Sequence, residues 1–261
     1  EGDWTDGRWN QVDVGPFMSA DIYTPQGRTL KGIAIKVGST TQATVCFNTE
    51  LLGYSAAWAD GFLEFDPRRY GLIGGPKPKG RTLFANDITP GWMHDGKLDD
   101  PRTGKLGPLP RSRAKYRGLY RHGKRVALSY TVGETTVLDE PWAGDADGRL
   151  FLTRTLEFGQ ADKPLTALIA TKQGATAVLQ NISGLAVAQL PAGDETLWVA
   201  ALGQDNGLAV KNHRILLTVQ PGEAKRLAKV FIVQAPLGQA ESVVALAKAN
   251  AVITTLSRLA S

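Results

Sequence analysis

The chain has 261 residues, 43% of them hydrophobic and 21% charged, with a formal net charge of +5. That is enough length for one large β domain or two small ones with a sizeable core, and the composition lies far from that of a disordered chain. No apolar run approaches the roughly 20 residues that a bilayer-crossing helix needs. A single cysteine, Cys46, excludes an intramolecular disulfide and also a covalent c-type haem, which takes a C-x-x-C-H pair of thiols.

From the N-terminus onward, Glu1-Gly-Asp-Trp4 is compatible with a mature end left after export. Alternation of period two then dominates. Leu30 to Val37 places Ile33, Ile35 and Val37 on one face with Lys36 on the other, and Ala43 to Asn48 is a β-type run in which Cys46 reads as a buried structural thiol. Val126 to Val132, the Gly133-Glu134 step and Thr135 to Leu138 read as a hairpin. Strands follow at Leu150 to Phe158, Leu165 to Thr171, Ala177 to Ile182, Thr196 to Leu202, His213 to Val219 and Leu227 to Gln234. Turn chemistry separates most of them, at Gln173-Gly174, Pro191 to Asp194, Asp205 to Gly207 and Pro221-Gly222.

Several strands, such as Leu165 to Ala170 and Val230 to Val233, are apolar on both faces, as strands between two layers are. Only Ala240 to Leu259 has helical spacing, with Val244, Leu246, Ala247, Ala251, Ile253, Leu256 and Leu259 in one stripe. The expected fold is all-β: an antiparallel β-sandwich over residues 1–238, with a C-terminal helix at 239–261 that would lead toward a further module. Residues 66–125 stand apart as a basic, Pro/Gly-rich, loop-rich insertion. They hold seven of the fourteen prolines and fifteen Lys or Arg against five Asp.

Within that insertion, Arg111 to Arg117 and Tyr120 to Arg125 interleave cations with aromatics. Such a surface attracts anionic ligands or an acidic partner. No nucleic-acid-binding motif accompanies it, so nucleic acid is not the expected partner. Tryptophans beside acids and arginines suit sugar platforms, which makes Trp58 with Asp60, and Trp92, candidates for ligand binding, together with Arg113; core packing is the commoner use of such rings. For catalysis the candidates are His94, Asp95, Tyr116 and Arg117, as acid/base and clamp, with the His94-Asp95 pair the best placed for acid–base work. Carboxylate pairs for glycoside hydrolysis would have to come from Glu64, Asp66, Asp87, Asp95 and Asp99, whose spacing does not show that any two face each other. The histidines His94, His122 and His213 fit no metal-ligand spacing, there is no G-x-S-x-G, and Gly71 to Gly75 lacks the Lys-Ser/Thr of a phosphate loop.

Several segments together resemble an uncharacterised domain family near the N-terminus of large exported bacterial proteins. They are Asp13 to Met18, Lys31 to Ile35, Val45 to Leu51, Ala57 to Phe62, Gly107 to Arg111 and Tyr116 to Gly123 running on into Val126 to Val132. Proteins of that family often also carry a quinoprotein-dehydrogenase-like propeller and a c-type cytochrome module. The resemblance is close over residues 9–142 and looser beyond. It implies a periplasmic or extracellular location and a cytochrome c or dehydrogenase module as partner, with no cofactor held by this chain itself. It carries over no functional residue.

Three functions remain open at this point. One is a non-catalytic carbohydrate-binding or scaffolding domain of a sugar- or alcohol-oxidising redox protein. A second is a β-sandwich carbohydrate-active enzyme, a lyase, hydrolase or epimerase. The third is a docking subunit that holds a cytochrome by charge.

Overall fold

The computed structural model describes residues 5–40, 42–71 and 73–259; Trp4 lies outside them. Among the described residues the alternating apolar pattern becomes eighteen strands in chain order. β1 (Phe17–Thr24), β2 (Gly27–Val37), β3 (Ala43–Asn48) and β4 (Gly53–Ala59) form an antiparallel meander, with a short ribbon of β5 (Leu63–Glu64) and β6 (Lys77–Pro78) before β7 (Arg81–Ala85) completes the first sheet. β8 (Ala114–His122), β9 (Arg125–Val132), β10 (Thr135–Ala146) and β11 (Arg149–Phe158) form a second meander. After β12 (Leu165–Thr171) come β13 (Val178–Ile182), β14 (Leu185–Ala192), β15 (Glu195–Gly203), β16 (Asn206–Lys211), β17 (Arg214–Val219) and β18 (Arg226–Ala235).

Three sheets carry the sandwich. Their orders are β1-β2-β3-β4-β7, β13-β14-β15-β18-β11-β10-β9-β8 and β12-β17-β16. The eight-stranded sheet is one layer; the other two sheets share its inner face. Tight turns set the register where sequence supplies them. Asp147 and Gly148, both left-handed at φ 53° and 74°, close the β10–β11 hairpin so that Ala146 pairs with Arg149 and Val137 with Phe158.

The main core lies between the layers. Ile33, Ile35 and Val37 of the first sheet, Ile215 and Leu217 of the three-stranded sheet, and Leu128, Leu156, Phe158, Leu190, Val199 and Val230 of the eight-stranded sheet belong to this one cluster. On the outer side of the eight-stranded sheet, helix α1 (Ala240–Ala249) lays Val243, Val244 and Ala247 on Trp198, Phe231 and Val233. On the outer side of the first sheet, Trp58, Ile22, Ala34, Cys46 and Leu63 make a third cluster. The antiparallel all-β sandwich with a C-terminal helix is the architecture that the alternation predicts.

Three local expectations change. The helix ends at Ala249 rather than near residue 259. The Asn250 backbone and side-chain N–H groups both donate to the Leu246 carbonyl (3.1 and 2.9 Å), and the β-branched run Val252 to Thr255 disfavours another turn. The chain beyond is strapped to the outer face of the eight-stranded sheet by two charges. Lys229 Nζ donates to the carbonyls of Asn250 (2.8 Å) and Val252 (3.0 Å), and Glu157 Oε2 accepts from the N–H groups of Leu256 (2.6 Å) and Ser257 (3.0 Å).

Residues 66–125 are less loop-like than their proline count suggests, since β6, β7 and β8 run through them. Nor do Pro191 and the Asn206-Gly207 pair sit in turns. Pro191 pairs with Thr196 and Asn206 with Val219, which leaves only Gly193-Asp194 and Gln204-Asp205 to reverse the chain.

Candidate functional site

The structure scatters the site residues proposed from sequence. Trp58, on β4, is fully buried, and its Nε1 donates to the Phe62 carbonyl at 2.6 Å, so it offers no ring face to a sugar. Trp92 is 4% exposed, with Tyr130 and Phe158 each 6.1 Å away between ring centroids; it too is core. Asp60 is exposed at the end of β4, 3.9 Å from Arg81 Nε. His94 and Asp95 occupy a tight turn closed by His94 and Lys97 backbone bonds, and their side chains, 3.5 Å apart, are 42% and 88% exposed. Arg113 donates to the Asp99 carbonyl at 3.1 Å. Tyr116 and Arg117 are neighbours on β8 but diverge: Tyr116 turns inward, 6.5 Å from Phe47, and Arg117 faces solvent. These residues do not converge on one cleft.

Two of the carboxylates considered for hydrolysis, Asp87 and Asp66, are held by neighbouring side chains. Asp87 accepts from Thr171 Oγ1 at 2.9 Å and lies 3.9 Å from His213 Nε2. Asp66 is held down to about 2 by the Arg68 guanidinium.

The strongest polar constellation is inside the sandwich. Val137, Asp139 and Ala143 share the inward face of β10, and Leu152, Arg154 and Leu156 that of β11, so the register brings Arg154 to Asp139 in the core. Arg154 Nε reaches both carboxylate oxygens (3.1 and 2.9 Å) and its Nη2 one of them (2.7 Å). Tyr130 OH (2.7 Å) and Tyr54 OH (3.1 Å) donate to the same carboxylate. The guanidinium also lies 5.0 Å from the Tyr54 ring centroid and 5.8 Å from that of Trp92. Burial, and after it the Asp139 charge, pushes both phenols well above their usual range, so they stay protonated donors. Burial opposes the Arg154 charge, but Asp139 more than restores it. The cavity that Tyr54 and Arg154 line measures about 20 Å³, which is too small for a substrate. Its chemistry is that of a fully paired interior charge.

A roomier space lies where the sandwich opens sideways, between β1–β2 and β8. The cleft measures about 620 Å³ and is lined on its apolar side by Leu30, Ile33, Leu106, Tyr116 and Leu119, with Asp21, Lys31 and Glu50 among its polar groups. Its rim is fixed by a buried arginine. Arg102 binds Asp100 through Nε and Nη2 (2.9 and 2.8 Å) and Glu50 through Nη1 (3.1 Å), and also donates to the Gly107 carbonyl. Asp100 first and Glu50 after it raise the Arg102 pKa against burial. That holds Leu106 at the mouth of the cleft, 66% exposed. Burial pushes the Tyr116 phenol up to about 12, which leaves it a neutral hydrogen-bonding group there.

β8 bounds the cleft and ends its sheet; among the described residues no strand pairs with its outer edge. Tyr116 pairs with Tyr130 and Gly118 with Ser129, so Arg117 is the extra residue of a bulge, and Gly118 takes the φ of 142° that the bulge requires. Arg111, Lys115, Arg117, Arg121 and Lys124 are exposed along this strand and its flanks, and none meets a carboxylate in an ion pair among the described residues. From Arg111 to Arg125 the chain has seven cations and no acid.

Sequence reading missed the interior network, although a signal existed. Once Val137 and Leu152 are assigned inward, period two also places Asp139 and Arg154 inward, one acid and one base on adjacent strands. The cleft left no such mark, because Leu30, Glu50, Leu106 and Leu119 come together only through tertiary packing.

The class this fold defines is an antiparallel β-sandwich with an open lateral cleft beside a basic edge strand. Residues 45–139 match a family described as a domain of unknown function, DUF6797. Among solved structures, one titled "Putative kojibiose phosphorylase from human microbiome" is similar at 9% identity with a TM-score of 0.43, over 84% of this chain and 33% of that one. The chain therefore spans about a third of that protein's length. No curated protein matches. Among the described residues no group of three His, Cys, Asp or Glu could hold a metal ion, and no helix is long and apolar enough to cross a membrane.

Proposed function

We propose that this chain is a non-catalytic docking domain, the scaffolding part of an exported redox protein, and that it holds an acidic cytochrome c or dehydrogenase module against β8. One observation carries the reading: five exposed cations, none in an ion pair with a carboxylate among the described residues, lie along β8 and its flanks, at the end of a sheet and next to an open cleft. Clustered charge of one sign steers a partner of the other sign, and the effect fades as salt rises. The redox setting, with its sugar- or alcohol-oxidising company, comes from the resemblance in residues 9–142. The groups suited to acid–base work support a binding role, since His94 and Asp95 sit in a solvated turn and Tyr54 and Tyr130 are locked in the core.

The test is binding of an acidic c-type cytochrome to the intact chain, measured from low to high ionic strength. The same titration on the triple variant Lys115→Glu, Arg117→Glu, Arg121→Glu completes it. Affinity should fall steeply with salt and be lost in the variant. Binding that ignored both changes, or turnover of a polysaccharide by the wild-type chain, would refute the proposal.

A second reading, carbohydrate binding, has a different location from the one the tryptophans suggested. A cleft of about 460 Å³ is lined by Tyr23 and Phe65 together with Glu64, Asp66, Arg68 and Lys77, a mixture of rings and charged groups suited to a sugar. Titration with neutral and acidic oligosaccharides, followed by calorimetry on wild type and Tyr23→Ala, decides it. Heat that is absent, or identical in the two proteins, removes this reading.

A further inference from the structure

We infer that β8 receives its partner by strand addition: an extended segment of alternating acidic and apolar residues pairs with the free edge of β8 and lengthens the eight-stranded sheet. This rests on the docking reading above and specifies its mode.

A terminal strand presents a row of backbone donors and acceptors that either stays in water or pairs with another chain. β8 has nine residues and ends the sheet, and among the described residues only β9 pairs with it. At about 3.3 Å per residue its edge offers nearly 30 Å for pairing. A second copy of the same strand is a poor occupant. It would set Lys115, Arg117 and Arg121 against their own kind, and like charges directly opposed destabilise a pair. The same charges favour an acidic segment.

The two sides of β8 also differ, which fixes an alternation in what it receives. Inward lies the cleft of about 620 Å³, whose apolar wall includes Ile33, Leu106, Tyr116 and Leu119. Outward stand Lys115, Tyr120 and His122, all exposed. Side chains of an added strand point alternately to the two faces. One set would face the cleft, where apolar residues gain most beside Tyr116 and Leu119, and the other would lie over Lys115, Tyr120 and His122, where Asp or Glu gains from the Lys115 ammonium; Arg121, opposite Val126, stands on the inward side with Leu119. The bulge at Arg117 interrupts the edge once, so pairing should be firmest over Gly118 to His122, beyond it.

The experiment uses the intact chain and ten-residue peptides that alternate Glu with Val, followed by fluorescence anisotropy. Two further peptides carry N-methyl groups, one on the odd-numbered amides and one on the even. The parent should bind and slow hydrogen exchange of the β8 amides. One methylated peptide should bind like the parent and the other at least about tenfold more weakly, because only one set of amides faces β8. Leu106→Ser, a change at an exposed rim residue, should weaken the parent about fivefold through lost apolar contact.

Two methylated peptides that both bind like the parent would overturn strand addition and leave charge docking standing. Peptides that fail to bind while an acidic cytochrome still binds with salt sensitivity would also overturn it alone. Failure of peptides and cytochrome together would remove the docking reading as well. Self-association of the chain that disappears in the charge-reversed triple variant would make a second copy the occupant and refute the inference.

Discussion

Arg154 and Asp139 meet between the two layers of the sandwich, the guanidinium reaching the carboxylate through Nε and Nη2 while Tyr54 and Tyr130 donate to the same acid. The pair is nearly sealed from water, with side chains 5% and 0% exposed. Removing one partner from such a pair strands the other charge in an apolar interior, a loss of about 3–5 kcal/mol. Asp139→Ala should therefore destabilise the chain by that amount in urea unfolding. The double variant Asp139→Leu, Arg154→Met, which leaves no charge behind, should recover most of it. A single variant that cost less than ~1 kcal/mol would show that water reaches the pair.

Glu157 gives the C-terminal strap a pH dependence of definite sign. Burial opposes its ionisation, but the N–H groups of Ser257 and Leu256 and the Lys225 ammonium outweigh burial and hold its pKa below the usual 4.5. A depressed carboxyl contributes stability that is fully present above 4.5 and disappears as the pH falls through the folded value. Protection factors of the Leu256 and Ser257 amides should accordingly be constant from pH 7 to about 5 and drop in more acid solution. In Glu157→Gln they should be lower at neutral pH and flat below it.

Cys46 should be silent toward thiol reagents in the folded chain. It is 0% exposed, and burial pushes its pKa up to about 12, so both access and thiolate are lacking. Its labelling rate in rising urea should track global unfolding. Labelling that is fast in native buffer would mean that the outer cluster around Trp58 opens independently.

The crossing of residues 52–53 by residue 91 leaves no room for a side chain. A Cβ at Gly91 would stand 2.1 Å from the Leu52 carbonyl oxygen and 2.6 Å from the Gly53 Cα, both backbone. Gly91→Ala should cost about 1–3 kcal/mol, the range for overpacking. Gly207, where nothing lies within 4 Å, is the control: Gly207→Ala should leave the melting temperature nearly unchanged.

Architecture was legible in the sequence wherever one face of a strand is buried and the other is not. The alternation of Ile33, Ile35 and Val37 with Lys36 survives intact, with Lys36 lying over the Phe62 ring at 4.8 Å on the far face. Proline and glycine misled: Pro191 sits inside β14, two residues past Gln189, the last residue that β13 pairs with, and Gly118 serves the bulge of a basic strand that composition alone made a loop. Helical spacing over Ala240 to Leu259 ran past the true end because Leu256 is buried by an extended strap rather than by a further turn. Tryptophans were the least informative, since a ring beside an acid in the chain says nothing about which way the ring points. Trp58 and Trp92 both point into cores.

The placement of β18 has a consequence for biosynthesis. Among the described residues it comes last of the strands in chain order, yet it lies between β15 and β11 and bonds to both. Until residues 226–235 leave the ribosome, the two halves of the large sheet have no hydrogen-bonded connection, and each presents a naked hydrophobic border. Such long-range closure is slow and exposes intermediates to aggregation. A nascent chain arrested before residue 226 should therefore engage chaperones, whereas one arrested well beyond residue 235 should resist protease.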